Sequence, residues 1–148
     1  LAAKACLKAG AGKVTVHTPE RNNDILQIAV PEAVLDFDED EKIFTSTVHT
    51  QGFQAMAIGP GLGTDKRTAL AFIEQTSHTD IPLLIDADGI NILGGHKGWI
   101  PQIPAKTMVA HIDRMNSAHS FRSTEEGRSI RRTCNENYQI NRPMFRGL

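Results

Sequence analysis

The sequence predicts an α/β fold with a mostly parallel, open sheet, and two observations carry this prediction. Residues 55–58 and 81–85 are continuous apolar runs, which are typical of strands covered on both faces in a parallel sheet. Each run ends in a polar or glycine-rich tip and is followed by apolar residues at helical spacing. Strands that alternate with helices favour an open α/β sheet, whose ligands bind at the carboxyl ends of the strands.

The composition is that of one ordinary globular domain. The 148 residues are 40% hydrophobic and 22% charged, which is enough for a real core. The formal net charge of -1 leaves no basic excess, so we expect neither a nucleic-acid partner nor an anionic membrane surface. No apolar run approaches the roughly 20 residues of a membrane span, so we expect no membrane partner and a cytoplasmic location. Cys6 and Cys134 are too few and too far apart for a disulfide framework or a metal site.

The first part of the chain is predicted to hold two helix–strand units. A helix over residues 1–9, with an apolar stripe on one face, ends at a glycine, and residues 13–17 form a β-branched strand. Thr18 and Pro19 favour the start of a second short helix, which continues to residue 29, because threonine suits the cap position and proline suits the first helical turn. Residues 32–37 have the length and composition of the next strand.

An acidic cluster follows this strand. Five of the six residues from Asp36 to Glu41 are carboxylates. Such a cluster could hold a cation, but it has no turn-forming glycine, and like charges repel one another unless water separates them. We therefore predict a solvated loop without a metal.

The middle of the chain is predicted to be a strand, a glycine turn and a helix. The strand covers residues 55–58 and the turn covers residues 59–63. Thr64 is expected to cap the helix, because a threonine hydroxyl accepts hydrogen bonds from the N–H groups of the first turn. The buried face of this helix follows from helical spacing and consists of Ala69, Phe72 and Ile73.

The same order of strand, polar tip and helix recurs further along the chain. Residues 81–85 are predicted to form the strand, and residues 86–89 form its tip before the next helix. We expect residues 94–104 to be a loop and residues 106–110 to be one more short strand, which leads to His111.

The glycine turn, Gly59-Pro-Gly-Leu-Gly63, is one candidate site. Glycines let the backbone approach a ligand closely, and the following helix points its unpaired N–H groups toward the turn. The turn is not G-x-G-x-x-G, and no Gly-Lys-Ser/Thr follows it, so neither the dinucleotide-binding nor the P-loop fingerprint is present. A tight strand-to-helix turn without a ligand is the structural alternative.

The second candidate site is the polar tip after residue 85. Asp86 and Asp88 lie two apart, and Asn91 follows in the first helical turn. Carboxylates at a strand end suit a hydroxyl group, a magnesium ion or a ribose. The alternative is that one of the two aspartates merely caps the helix.

The spacing of the histidines does not by itself indicate a catalytic or metal-binding role. A lone histidine such as His111 is more often structural than catalytic. None of the other five histidines has a partner at the separation of a helical zinc site, and we assign them no role.

Three segments occur in an order that resembles the ADP/ATP-dependent NAD(P)H-hydrate dehydratases, which belong to the ribokinase-like superfamily of small-molecule kinases. They are Ala5-Cys-Leu-Lys-Ala-Gly-Ala-Gly-Lys-Val-Thr-Val16 with Thr18-Pro-Glu20, Ala57-Ile-Gly-Pro-Gly-Leu-Gly63, and Ile85-Asp-Ala-Asp-Gly-Ile-Asn-Ile-Leu93. The resemblance covers residues 1–111, and the three motifs together are far more specific than a single glycine turn.

The resemblance implies a three-layer α/β/α ribokinase-like fold, here incomplete, and the repair of hydrated NADH or NADPH. In such enzymes a nucleotide, ADP or ATP with Mg²⁺, transfers a phosphoryl group to the ring hydroxyl, and phosphate is then eliminated. A homo-oligomer is compatible with this family. The substrate-binding residues that the resemblance implies are Gly61, Leu62, Gly63, Asp86, Asp88, Asn91 and His111.

The resemblance ends near His111. The two residues before it are not the family's Thr-Pro, and Asp113-Arg-Met115 replaces a Gly-Glu-Phe-like sequence. We therefore divide the chain into a partial ribokinase-like domain, residues 1–111, and a segment of uncertain origin, residues 112–148. We interpret the second segment either as the product of a reading-frame shift or as a poorly ordered tail.

Two further motifs of the family are missing from the sequence. One is a glycine-rich substrate segment expected before Leu1, and the other is a late glycine-rich motif with the catalytic aspartate. We therefore expect a fragment that is inactive alone, and we assign no catalytic residue and no metal ligand within it.

The sequence is also compatible with two other functions. The first is a ribokinase-like kinase of a sugar or vitamin precursor, which would phosphorylate a stable alcohol without releasing water. The second is a nucleotide-binding module without enzymatic activity, which would bind nucleotide and never turn it over.

Overall fold

The computed structural model describes residues 1–105 and 107–109, so His111 and the predicted segment 112–148 lie outside the described residues. The helices are α1 (Ala2–Lys8), α2 (Asn23–Ala29), α3 (Lys66–Ser77) and α4 (Asp88–Gly95). The strands are β1 (Thr15–Thr18), β2 (Val34–Phe37), β3 (Met56–Ile58), β4 (Leu83–Ile85) and β5 (Thr107–Val109). None of the helices in these ranges is long and apolar enough to cross a membrane.

Every strand pairing among the described residues is parallel. β1 pairs with β2, and β4 lies between β3 and β5 in a separate sheet. The α/β class and the parallel pairing predicted from the sequence are confirmed. The strands differ from the prediction in forming two sheets rather than one.

The two helices before β2 are not buried. The sequence predicts an apolar stripe on α1, yet neither α1 nor α2 contains a buried residue. On α2, Ile25 is 67% exposed and Ile28 is 84% exposed. Apolar periodicity identifies the face suited to burial, but burial itself requires a surface to pack against.

The hydrophobic core lies around the second sheet. Helix α3 buries Ala69 and Phe72 as predicted, while Ile73 is only half-buried. Phe72 is fully buried and belongs to one cluster with residues of β3, β4 and α4, among them Ile58, Ile85 and Ile90. The interior strand β4 is paired on both edges and has a continuous apolar sequence, of which Leu83 and Ile85 are buried and Leu84 is half-buried.

Two local predictions, one for strand β3 and one for the segment after α4, are wrong. Ala57 of β3 is exposed, although the apolar run indicated a strand covered on both faces. The segment after α4 is not an irregular loop, because Lys97–Gln102 forms a 3₁₀ helix. Its Trp99 stacks on His96 with ring centroids 4.0 Å apart, and this contact gives the segment a fixed path.

The acidic loop, residues 38–46, is only partly the solvated segment that the sequence predicts. Asp38 is buried, with 7% of its surface exposed. Its Oδ1 atom accepts from the Thr45 hydroxyl at 2.6 Å and from the Asp40 N–H at 3.0 Å. Its Oδ2 atom accepts from the Thr45 and Ser46 N–H groups at 2.8 and 3.1 Å. One carboxylate therefore organises the loop around itself.

The charge on Asp38 is stabilised by these donors. Burial by itself raises the pKa of the Asp38 carboxyl, but the hydroxyl and backbone hydrogen bonds outweigh it and hold that pKa well below its usual range. Backbone donation from Lys42 is the main cause that lowers the pKa of the half-buried Asp40 carboxyl. Arg67 of α3 adds to this effect, with its Nη1 atom 2.9 Å from Asp40 Oδ2.

His17 connects the acidic loop to the first sheet. Its Nδ1 atom lies 2.7 Å from Asp36 Oδ2, and its Nε2 atom lies 3.1 Å from Asp38 Oδ2. The ring also meets Phe44 edge to face at 5.7 Å. No sequence spacing pointed to this cluster, because parallel pairing of β1 with β2 places His17 beside Asp36, 19 residues away.

Candidate functional site

The glycine turn leaves β3 as a tight turn. The Leu62 N–H donates to the Gly59 carbonyl at 3.0 Å. Pro60 stands at the second position of this four-residue turn and Gly61, with φ of 71°, at the third, which is the arrangement that a type II turn requires. A proline followed by a glycine is typical of this turn type.

The polar tip after β4 is also a tight turn, but an unusual residue occupies it. The Gly89 N–H donates to the Asp86 carbonyl at 3.0 Å, which closes a four-residue turn over residues 86–89. Ala87 adopts φ of 47° and ψ of −117°, the values of the second position of a type II′ turn, where glycine is the usual residue. Among the described residues, Ala87 is the one non-glycine with a positive φ.

The two tips are packed directly on one another. The Asp86 N–H donates to the Ile58 carbonyl at 3.1 Å. Gly59 approaches so closely that a Cβ atom built on it would lie 1.9 Å from the Asp86 carbonyl oxygen and 3.0 Å from the Gly89 nitrogen. Only glycine fits at position 59, where φ is also positive, at 124°.

A side-chain hydrogen bond joins the tips at their outer ends. The Gly63 N–H donates to Asp88 Oδ2 at 2.8 Å, and the Asn91 amide donates to Asp88 Oδ1 at 3.2 Å. Asp86 instead turns its carboxylate to its own loop, where Oδ1 accepts from the Ala87 N–H at 2.8 Å. The structure therefore brings together six of the seven predicted site residues, since the seventh, His111, lies outside the described residues.

The helix caps differ from the sequence predictions. Helix α3 is capped by Asp65, whose Oδ1 atom accepts from the Arg67 N–H at 2.9 Å, and not by Thr64. An aspartate caps a helix as well as a threonine does, so local propensity could not distinguish the two neighbours. At α4 the N-cap residue is Ala87, without a side-chain cap, so the alternative that Asp86 or Asp88 caps this helix is wrong.

The site surface is polar and accessible. Gly61, Gly63 and Asn91 are exposed, while Leu62, Asp86 and Asp88 are half-buried. The N–H groups of Leu62 and Gly63 donate inside the protein, whereas no described residue accepts from the Gly61 N–H. The site can therefore offer the Gly61 N–H and the Asp86 carboxylate to a ligand, a combination that suits its hydroxyl and amide groups.

The remaining chemistry of the described residues is limited. No three or more histidine, cysteine, aspartate or glutamate side chains in residues 1–105 and 107–109 come together as a metal-binding group. An open depression of about 510 Å³ is lined by His49, Phe53, Asp80 and Ile81. It lies at the amino ends of β3 and β4, so we place the candidate site at the carboxyl ends, where the two tips meet.

Comparison with known proteins identifies the relatives of this chain. Residues 1–109 match the family model described as NAD(P)H-hydrate dehydratase. An ADP-dependent (S)-NAD(P)H-hydrate dehydratase of Staphylococcus aureus is 35% identical over 106 residues, which are 70% of this chain and 37% of that protein. The corresponding protein of Listeria monocytogenes is 37% identical over 108 residues, 72% of this chain and 38% of that protein.

A longer relative is similar to the same part of the chain. The bifunctional NAD(P)H-hydrate repair enzyme Nnr of Moorella thermoacetica is 31% identical over 101 residues, which are 63% of this chain and 19% of that protein. The chain thus spans less than two fifths of the length of these curated relatives.

Proposed function

The chain belongs to the NAD(P)H-hydrate dehydratase family, and we propose on this basis that its two packed tips form part of a binding site for hydrated NADH or NADPH. The observation that carries the proposal is the family match over residues 1–109, which includes both tips. The geometry supports it, because an exposed backbone donor and two carboxylates lie at the carboxyl ends of parallel strands.

We propose the following roles within the site. The Gly61 N–H faces the polar part of the substrate, and Leu62 and Gly63 complete the wall around it. Asp86, Asp88 and Asn91 lie at the same crevice. His111 stays a proposed substrate contact from the sequence resemblance alone.

The proposed reaction is a nucleotide-dependent dehydration. The ring hydroxyl of hydrated NAD(P)H attacks the terminal phosphoryl group of the nucleotide, and the shortened nucleotide leaves. Elimination of phosphate and of one proton then restores the ring double bond. The names of the relatives from Staphylococcus aureus and Listeria monocytogenes specify ADP, which supports ADP as the nucleotide, with ATP as the alternative to test.

Binding and orientation are what the described residues contribute to this reaction. Phosphoryl transfer depends mainly on positioning and on stabilising charge, and a rigid pair of backbone turns serves the first requirement. We assign no catalytic residue to this chain. Mg²⁺ would bind to the nucleotide phosphates, since no three His, Cys, Asp or Glu side chains of the described residues come together to hold a metal ion.

The domain division is also a proposal. We take residues 1–111 as a partial ribokinase-like domain, which the family match over residues 1–109 supports, and residues 112–148 as foreign to the fold. Mass spectrometry of the purified chain with resequencing of its gene tests this. An intact reading frame through this segment in related genomic DNA would contradict the proposal.

The function is tested first by binding. Hydrated NADH titrated into the full 148-residue chain is expected to bind saturably and to shift the Gly61 amide resonance. The matched control is Asp80→Ala, which removes a carboxylate at the amino end of β4 and leaves the binding unchanged. A chain that binds sugars or vitamin precursors and ignores hydrated NADH would favour the kinase alternative.

A turnover assay distinguishes the proposed dehydratase from the remaining alternative, a nucleotide-binding module without enzymatic activity. An assay of ADP and ATP consumption with hydrated NADH, on a chain extended with the missing family motifs, is expected to release NADH and phosphate. Nucleotide binding without any turnover would instead support a non-enzymatic nucleotide-binding module. The cytoplasmic location and the homo-oligomeric state stay predictions, which cell fractionation and size-exclusion chromatography with light scattering can check.

A further inference from the structure

We propose that Asp88 is a positioning residue, which holds the glycine turn in its binding shape through the Gly63 N–H and does not itself contact the substrate. The proposal deepens the proposed function and rests on it for the identity of the ligand. It separates the two aspartates of the polar tip, which the sequence could only treat as a pair.

Both carboxylate oxygens of Asp88 already accept hydrogen bonds within the protein. Oδ2 accepts from the Gly63 N–H at 2.8 Å, and Oδ1 accepts from the Asn91 amide at 3.2 Å. A substrate hydroxyl would have to displace one of these donors or share the oxygen with it. The Gly63 bond is charge-assisted and short, so it is the more costly one to lose.

The glycine turn is fixed at both of its ends. At its start, Gly59 is pressed against the Asp86 carbonyl with no room for a side chain. At its end, the Gly63 N–H is held by Asp88. Between these points Gly61 is exposed, with no described residue as acceptor for its N–H. Two anchored ends thus set the direction of the Gly61 N–H.

The residue directly before Asp88 has an unfavourable backbone conformation. Ala87 holds a positive φ of 47°, a conformation that costs free energy in a residue with a Cβ atom. Ala87 is the residue directly before Asp88, so this backbone sets where the carboxylate enters the gap between the tips. Strain of this kind persists where the surrounding structure determines the conformation, and here it coincides with the contact between Asp88 and the turn.

The test compares two substitutions of Asp88 in the full chain. Asp88→Ala removes the acceptor, while Asp88→Asn keeps a carbonyl oxygen that can accept from Gly63. Asn91 can accommodate the second substitution by turning its own amide oxygen toward the new amide group. Asp80→Ala, which removes an exposed carboxylate at the opposite end of β4, is the control.

The first readout needs no ligand. In Asp88→Ala the Gly63 amide proton resonance is expected to move upfield and its hydrogen exchange to accelerate about tenfold, as for the loss of one hydrogen bond to a charged group. The Asp88→Asn and Asp80→Ala proteins are expected to keep both properties near the wild-type values. An unchanged Gly63 amide in Asp88→Ala overturns the proposal.

The second readout is affinity for hydrated NADH. We expect about a tenfold loss in Asp88→Ala and a change within about twofold in Asp88→Asn. Equal losses in the two variants would show that the charge of Asp88 acts on the substrate directly, which overturns the positioning role. An unaltered affinity in Asp88→Ala would overturn it as well. If the wild-type chain binds no hydrated NADH, the proposed function fails, and the Gly63 amide alone still decides the role of Asp88.

Discussion

Two regions of this molecule have similar sequence patterns and very different interiors. The N-terminal unit, residues 1–37, holds α1, α2 and the β1–β2 sheet, and its buried hydrophobic residues are Val30 and Ala33. The described part of the C-terminal unit, residues 55–105 and 107–109, buries nine hydrophobic residues around β4. They are Ile58, Ala69, Ala71, Phe72, Leu83, Ile85, Ile90, Ile92 and Leu93.

Apolar periodicity and apolar burial are therefore separate properties in this chain. Ile28, Val34 and Phe37 of the N-terminal unit are 84%, 46% and 42% exposed, although each stands where its helix or strand would place a core residue. Parallel sheets are almost always covered on both faces, and the β1–β2 sheet is not covered by its own helices. The C-terminal unit owes its core to α3, whose Phe72 reaches the sheet and the first turn of α4.

The strongest test of this comparison is Phe72→Ala. Phe72 is fully buried, so its removal leaves a cavity and should lower the free energy of unfolding by about 3–5 kcal/mol. Ile28→Ala is the matched substitution in the N-terminal unit, and because Ile28 is exposed it should change stability by less than about 0.5 kcal/mol. Urea denaturation followed by circular dichroism measures both. Similar losses in the two proteins would mean that Ile28 is covered in solution.

The second test uses two glycines. Gly59→Ala places a Cβ atom 1.9 Å from the Asp86 carbonyl oxygen and should cost about 3 kcal/mol, because the two strand tips must separate. Gly12→Ala, in the N-terminal unit, meets no atom within 4 Å and has no positive φ, so we expect almost no effect. Thermal unfolding of both variants gives the comparison. A stable Gly59→Ala protein with unaltered site resonances would refute the close contact of the tips.

The third test concerns the acidic loop between the two units. Asp38→Asn should cost about 2 kcal/mol at neutral pH, because a neutral amide loses part of four hydrogen bonds to a charged group. The pKa of the Asp38 carboxyl is lowered by folding, so its stabilisation is present above the ordinary aspartate pKa and is lost as the pH falls below about 4.

Thermal unfolding at a series of pH values from neutral to strongly acidic checks this sign. The wild-type chain should lose more stability over this range than Asp38→Asn, so the two curves approach one another in acid. Curves that fall in parallel would assign the acid sensitivity to other carboxylates.

The smallest expected effect, and the one with the opposite sign, is that of Ala87→Gly. Glycine adopts the positive φ of this position without steric cost, so we expect a gain of about 1 kcal/mol in stability. The same exchange in the N-terminal unit, Ala5→Gly, lies inside α1 and should lose about 0.5 kcal/mol. Calorimetry of the two proteins decides. Destabilisation by Ala87→Gly would show that position 87 is unstrained.

Much of the fold could be predicted because it depends on local features. The apolar run over β4 predicted a parallel strand, and the glycine-rich residues 59–63 predicted a turn. The strand bounds were less accurate, since β1 runs over Thr15–Thr18 rather than residues 13–17. Pairing with β2 fixes these ends, and local sequence does not contain the partner.

The candidate site was predictable as a set of residues and not as a set of contacts. The order of glycine turn and polar tip placed Gly61, Asp86 and Asp88 together, as two parallel strand ends require. That Asp88 holds the Gly63 N–H while Asp86 turns to its own loop depends on how the tips pack. The His17 cluster has the same origin, because it follows from strand register over a separation of 19 residues.

The amino-acid sequence was sufficient for the α/β class, the parallel strands and the family, because helical period, apolar runs and turn residues act over a few neighbouring positions. Three properties came from the folded chain instead: which apolar faces are buried, which carboxylates carry hydrogen bonds and which backbone donor stays open. The physical reason is that burial and hydrogen bonding need a partner, and the partners here come from distant parts of the chain. Gly59 illustrates the two contributions. The sequence alone shows that a glycine suits a turn, but only the folded structure shows that no other residue fits there, because the Asp86 carbonyl lies against it.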